Sequence, residues 1–239
     1  IGPEEGGGVG VGVGDGNGEA TTETLLEDIG TLIEDPEERD RLSARLETAV
    51  AGETETRPFD IAKVYYDLFY GCREVTAIDL NGTDACLRHD LNHPLDLDTA
   101  FDVTINNGTA EHVFNYGQVF ASMHQYTRPG GLMIHEGPLI SGWVDHGFVN
   151  FQPTLFFDLA RANNYDMWFF AGAANPFEIH QFPDRDAVLE FIKAGKLPEN
   201  AMLLAIFRKN AEESEFRIPF QGYYSGGISD EARKSWRSM

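Results

Sequence analysis

Between residues 59 and 209, short apolar runs alternate with stretches of helical periodicity, and this alternation leaves the chain few architectures. The segment FDIAKVYYDLFY, 59–70, spaces its apolar side chains as a helix does, and Gly71 ends it. REVTAIDL then predicts a strand ending in Asp79, and CLRHDLNHPL a short strand or turn holding Asp90 and Asn92. FDVTINNG is the next predicted strand, from Phe101, followed by a helix to about Thr127. After a turn at Arg128-Pro129-Gly130-Gly131 come a strand (GLMIHEGPL), a helix with Pro153 in its first turn (PTLFFDLARANN) and a strand (YDMWFFAGA). A helix (DRDAVLEFIKAG) and a strand (AMLLAIFRK) complete the series. Strands separated by helices pair in parallel and need cover on both faces. The expectation is an α/β fold: a doubly wound, mostly parallel, seven-stranded sheet with helices on both faces, forming a single domain over 1–239.

The N-terminal part departs from this rhythm. Residues 20–50 read as two acidic helices split at Asp35-Pro36, residues 52–58 as a polar linker, and 20–58 together as a helical insertion or lid. The opening GGGVGVGVGDGNGE is either a flexible tail or something more ordered, since Val9, Val11 and Val13 alternate as a strand does. Gly12, Gly14 and Gly16 form G-x-G-x-G just ahead of a helical pattern, where glycine lets backbone amides approach a ligand. Residues 211–239 read as an irregular tail.

Composition excludes several classes of function. With 39 acids against 18 bases the net charge is -21, the wrong sign for the basic footprint that nucleic acid demands. Lys occurs only at positions 63, 193, 196, 209 and 234, and this acid-rich, Lys-poor balance suits a high-salt cytoplasm or an acidic mesophilic protein. No run approaches the ~18 apolar residues of a membrane span, so neither nucleic acid nor membrane is an expected partner. The chain opens at Ile1 with no basic or apolar leader segment, which predicts no signal peptide and a trimmed start. Cys72 and Cys86 are the only cysteines, too few for a disulfide framework, which points to a reducing cytoplasm. Hydrophobic residues at 42% and aromatics at 12% support a packed core.

In a doubly wound sheet, ligands bind outside the carboxyl ends of the strands. Asp79, the run Asn106 to His112, and His135-Glu136 all fall at such ends. Two amides, a glycine, a carboxylate and an imidazole exceed what a turn needs. An acid at Asp79 is placed to take both hydroxyls of a ribose, which suits NAD and S-adenosylmethionine equally; the plainer reading is a turn aspartate. Asp90 lies at the next lip, within reach of an adenine amino group.

The order of Asp79, INNGTAEHVFN and TRPGGLMIH resembles class I S-adenosylmethionine-dependent methyltransferases over roughly residues 59–209. In that family an acid after the second strand holds the ribose, a polar lip after the fourth lies beside the reacting centre, and a Pro-Gly-Gly turn precedes the fifth. The resemblance implies a cofactor site of Gly12, Gly14, Gly16, Asp79, Leu80, Asp90, Leu91, Asn106, Asn107 and Gly108. It also implies a methyl acceptor that is a small molecule or is bound to a carrier. Two departures stand: Gly10 occupies the place of the acid usual before the first glycine, and the stretch from Gly16 to Asp79 exceeds a single helix. Either helices are inserted as a lid or Gly12 to Gly16 is not the loop. A dinucleotide-dependent oxidoreductase and a non-catalytic binding protein on the same scaffold are the competing functions.

A second unusual stretch, HEGPLISGWVDHGFVNFQP, holds His135, Glu136, Asp145, His146, Asn150 and Gln152 around Trp143, Phe148 and Phe151. Methyl transfer depends on positioning and exclusion of water; aromatic faces shield a sulfonium, and His or Glu deprotonates the acceptor. His146, His112, Glu111 and His135 are the expected catalytic residues. His146 with Gln152, joined by His112, Glu111, His135 or Asp145, also gives N and O ligands suited to iron or manganese, and the segment loosely resembles metal-dependent methyltransferase domains of polyketide loading modules. The plainer reading is that these histidines satisfy backbone groups at strand ends. His89, His93, His124 and His180 read as surface or structural residues.

Overall fold

The computed structural model describes residues 22–52, 57–81, 86–140, 142–174, 178–212 and 215–222. Gly12, Gly14 and Gly16 lie outside the described residues, as does most of the 211–239 tail. The chain divides into two compact units, one up to Asp90 and one from Leu91.

The first unit is helical. α1 (Thr22–Leu32), α2 (Pro36–Ala51) and α3 (Arg57–Tyr70) bury Leu25, Ile29, Leu42, Leu46, Ala49 and Val64 against one another. Asp35 caps α2 by accepting from the Glu37 amide at 3.0 Å, with Pro36 at the first helical position, where its missing N–H costs nothing. The Asp35-Pro36 split is therefore a helix boundary, as the sequence predicts. α3 ends at Gly71 (φ +65°), where Gly71 N–H donates to Asp67 O, the bond of an αL cap that the left-handed glycine makes cheap, and Cys72 N–H donates to Tyr66 O. Buried Asp67 accepts from Arg41 at 2.8 Å and also from Arg45, tying α3 to α2. Of the strand expected over 73–80, only β1 (Ile78–Asp79) pairs, in parallel with β2 (Leu87–Arg88).

The second unit is built on a mixed five-stranded sheet. Its strands are β3 (Phe101–Asn107), β4 (Thr127–Pro138), β5 (Asp166–Ala174), β6 (Glu178–Gln181) and β7 (Met202–Arg208), in the order β3-β4-β7-β5-β6. Only β3 and β4 pair in parallel; β7 runs antiparallel to both β4 and β5, and β6 antiparallel to β5. The α/β class is as expected, but among the described residues no seven-stranded, mostly parallel sheet forms. β7 enters reversed between two strands that share a direction, and β1–β2 make a separate pair. The Pro129-Gly130-Gly131 turn is a bulge at the start of β4. Pairing jumps from Phe101–Thr127 to Val103–Leu132, Gly130 has φ +79°, and a side chain at Gly131 would meet Asp102 O at 2.7 Å.

Helices α4 (Tyr116–Tyr126), α5 (Pro153–Asn163) and α6 (Arg185–Lys193) belong to this unit, whose core includes Met133, Leu139, Phe156, Leu159, Phe170, Leu203 and Phe207. Lys209 is buried with Nζ donating to the carbonyls of His124 and Thr127 at 2.7 and 2.8 Å, so it satisfies the C-terminal end of α4. His124 Nδ1 meets the Tyr165 hydroxyl at 2.7 Å, a structural role.

His135 is corrected by this core. Strand alternation on β4 turns it among Phe120, Phe156 and Phe207, with ring centroids 5.0, 5.8 and 5.5 Å away, and it is 2% exposed. A residue expected at the catalytic lip is thus a packed, neutral imidazole, pushed down to about 3 by burial.

Two predictions follow from these buried groups. Between pH 6.5 and about 3 the unfolded chain binds a proton on His135 that the folded chain refuses, so stability is lost as pH falls through that window. His135→Leu should remove a component of about 1.4 kcal/mol per pH unit from the slope of urea-unfolding free energy there. An unchanged slope would show that His135 protonates in the fold. In the helical unit, Asp67→Ala leaves two guanidiniums facing each other without their shared acid. It should destabilise α2 and α3 by about 2–3 kcal/mol, read from amide hydrogen exchange.

Candidate functional site

Asn106 and Asn107 close β3, aligned with His135 and Glu136 on β4. The buried Asn106 side chain is spent on the fold, its Oδ1 accepting from the Ala110 amide at 2.8 Å. Gly108 turns the chain with φ +57°, and its N–H donates to Glu136 O at 3.1 Å, one step beyond the ladder. A single 3-10 turn, Ala110–His112, follows, and its tightness presents Glu111 and His112 as neighbours on the carboxyl edge of the parallel pair.

The loop that leaves β4 at Leu139 returns at Phe151, where Leu139 and Phe151 form an isolated parallel bridge. It is pinned to the turn through backbone: Phe148 N–H donates to Glu111 O at 2.8 Å, and a side chain at Gly147 would sit 2.9 Å from that same oxygen. Trp143 anchors the loop's other arm by donating Nε1–H to Ala201 O at 2.8 Å. These contacts carry His146 to Glu111, with His146 Nε2 3.9 Å from Glu111 Oε1, too long for a hydrogen bond. His112 and His146 lie edge to face at 5.0 Å, and Trp143 lies 4.9 Å from His146.

Glu111 is fully buried, and neither carboxyl oxygen has a hydrogen-bond partner among the described residues. Positions 108 and 137 flank it as glycines; a Cβ at either would come within 3.6 Å of a Glu111 carboxyl oxygen. Burial pushes the Glu111 carboxyl above the ordinary range; its own backbone amide and His146 act the other way, and Glu136 adds to the rise. Burial also raises Glu136. The donor atoms of Glu111, His112 and His146 all lie within 4.8 Å of one another, with the acid buried and both imidazoles exposed. Phe114 and Phe148, 79% and 67% exposed, stand edge to face at 5.9 Å as an apolar pair flanking this cluster in sequence.

Of the residues expected from sequence, the structure thus brings together Glu111, His112 and His146, with Asn106, Asn107 and Gly108 leading into their turn. Gln152 holds the exposed N-cap position of α5 and makes no side-chain cap bond there. Asp145 is an exposed turn residue with φ 60°. Asp79 belongs to the first unit, where its Oδ1 accepts from the Asn81 amide at 2.7 Å; Leu80 beside it is 61% exposed, and Asp90 ends that unit. Leu91 packs against the core of the second. Sequence reasoning passed over Gly137 and Phe114. Gly137 looked like an ordinary strand-end glycine, and Phe114 offered the one available signal, a large apolar residue in a run of turn-formers.

No protein-family model matches the chain, and no curated protein does. Among solved structures the chain is similar to the N-methyltransferase NodS from Bradyrhizobium japonicum WM9, determined in complex with S-adenosyl-L-homocysteine. The identity is 15% and the TM-score 0.40, over 79% of this chain and 98% of that one.

Proposed function

We propose that this chain is an S-adenosylmethionine-dependent methyltransferase acting on a small-molecule or carrier-bound acceptor. The observation that carries the reading is the buried, unpartnered Glu111, held with His112 and His146 at the carboxyl ends of the parallel pair β3–β4. Ligands of α/β sheets bind at that edge, and a structural turn has no use for a desolvated acid. The donor set fits the cofactor's charge: an orphaned carboxyl beside aromatic rings is complementary to a cation, and a sulfonium is one. The segments 106–116 and 135–152 contain no Lys or Arg, which disfavours a dinucleotide's phosphates at this lip and so the oxidoreductase reading. A non-catalytic scaffold would not retain the destabilising burial of Glu111.

The cofactor supplies an electrophilic methyl group; the chain's task is to orient the acceptor and remove its proton. His146, exposed in the cluster, is the proton acceptor, and the ionised Glu111 carboxylate 3.9 Å away stabilises the imidazolium that forms. Trp143, Phe114 and Phe148 exclude water around the transfer. In this reading Asn107 and Gly108 face the cofactor. A cytoplasmic setting completes the proposal. Nucleic acid and membrane surfaces have no place in it.

Calorimetry with S-adenosylmethionine, its demethylated product and NAD tests the class: the first two should bind and NAD should not, and the reverse pattern rejects it. Against a panel of small acids, sugars and acyl carriers, His146→Ala should lower turnover roughly 10²-fold or more while cofactor affinity stays within about three-fold. Full activity in that variant would reduce His146 to a turn residue. Gly147→Ala should lower turnover by about 10- to 100-fold with little change in melting temperature, because the added Cβ forces the loop off Glu111 O and displaces His146.

A further inference from the structure

Glu111, His112 and His146 together have a property that methyl transfer does not require. Two imidazoles and one carboxylate, supplied by a single tight turn and the loop pinned to it, place their donor atoms within 4.8 Å of one another. Ligand bonds of roughly 2.0–2.2 Å put neighbouring donors about 3–4 Å apart, so small rotations of the two exposed rings complete the convergence. The carboxylate is the fixed member: it is fully buried, is flanked by two glycines and has neither oxygen hydrogen-bonded among the described residues. Its nearest ion-pair contact, His146 at 3.9 Å, is not a hydrogen bond. Partly buried Glu136, at the matching end of β4, adds a second acid to the same edge. A buried acid without a bond, facing two imidazoles with a second acid behind it, lacks one thing, a cation.

We infer that Glu111, His112 and His146 form a binding site for a divalent transition-metal ion. Two imidazole nitrogens and one carboxylate oxygen are a borderline donor set with open positions, suited to iron(II), manganese(II), cobalt(II) or zinc(II) and poorly suited to calcium or magnesium, which take oxygen. Glu111, one of the groups expected to join His146 and Gln152, is the third member of the cluster, and Gln152 is not in it. Both imidazoles are exposed, so the remaining coordination positions open to solvent beside Phe114 and Phe148 and stay free for an oxygen-bearing ligand. The site rests on the same residues as the methyl-transfer reading, and a bound ion would take the His146 nitrogen that otherwise accepts the proton, so metal binding and cofactor binding are measured separately.

The test uses the full chain stripped with chelator, dialysed and titrated with cobalt(II), read by visible ligand-field absorption, and with manganese(II), read by the loss of free-ion paramagnetic signal. No cofactor or acceptor is present. A single equivalent should bind, and His112→Ala and His146→Ala should each weaken binding at least roughly tenfold, while His180→Ala leaves it unchanged. Glu111→Gln should behave as the histidine variants do. If that buried substitution fails to fold, the two exposed histidine variants decide. Absence of a stoichiometric site, or unaltered affinity in both histidine variants, overturns the assignment. Calorimetry with S-adenosylmethionine on the same metal-free protein reports separately on the methyl-transfer reading.

Discussion

The parallel ladder between β3 and β4 is the constraint on which the candidate site depends. Parallel strands cannot be joined by a hairpin, so the chain leaving Asn107 must turn away and return through α4 before β4 can start. Both strands then finish at the same edge, with Asn107 opposite Glu136 and the Gly108 amide bonded to Glu136 O. The edge inherits two consequences. The turn after β3 must be tight, which selects Gly108 in the left-handed region and a 3-10 turn in place of an immediate helix. The segment after β4 has no partner strand to continue into, so it loops out and returns at Phe151, bringing His146 over the turn. The three functional groups come from segments about 35 residues apart, and the backbone bond from Phe148 to Glu111 holds them in register.

Burying a carboxyl without a hydrogen bond costs several kcal/mol. The fold tolerates this at Glu111 because the loss is local and the unit's core is dense, with Phe151, Phe156, Phe170 and Phe207 all buried in it. Protonation removes part of the cost, and burial does raise the carboxyl's affinity for a proton. A proton does not remove all of it, since the neutral acid would still hold a donor and an acceptor without partners. A Cβ at Gly137 would first meet the Phe151 ring at 2.9 Å, and Gly108 sits at φ +57°, so ring packing and turn conformation select the two glycines that border the carboxyl oxygens.

The elements around this site were legible because their patterns are long. FDVTI, GLMI and AMLLAIF announce strands, Pro153 and Asp184 announce helix starts, and all appear as expected. Strand direction was not legible. Whether β7 runs parallel or antiparallel depends on which end of the sheet the 194–201 connection reaches, and nothing in its side chains states that. β6 is four residues, too short to display a period. At the site, the error lay in phase. His135 and Glu136 are adjacent, so on a strand one faces the core and the other does not, and a slip of one residue exchanges their roles. Sequence patterning gave two polar residues at a strand end; only the ring contacts with Phe120, Phe156 and Phe207 decide which is core.

Glu111 and His135 show how one physical cost yields opposite roles. Both are buried, and both carry a polar atom without a hydrogen bond among the described residues. His135 resolves the conflict by remaining neutral: an imidazole surrounded by phenyl rings behaves as one more ring, and its proton affinity collapses to fit. That solution requires full enclosure, which places His135 beyond the reach of a substrate. Glu111 is equally buried but is bordered by two exposed imidazoles and by glycines in place of side chains, so its neutralisation can come from outside the fold. The difference between a core residue and a functional one at this edge lies in whether the surroundings leave a path by which an external charge can arrive. Around His135 the aromatic packing closes that path, and beside Glu111 the exposed His112 and His146 leave one.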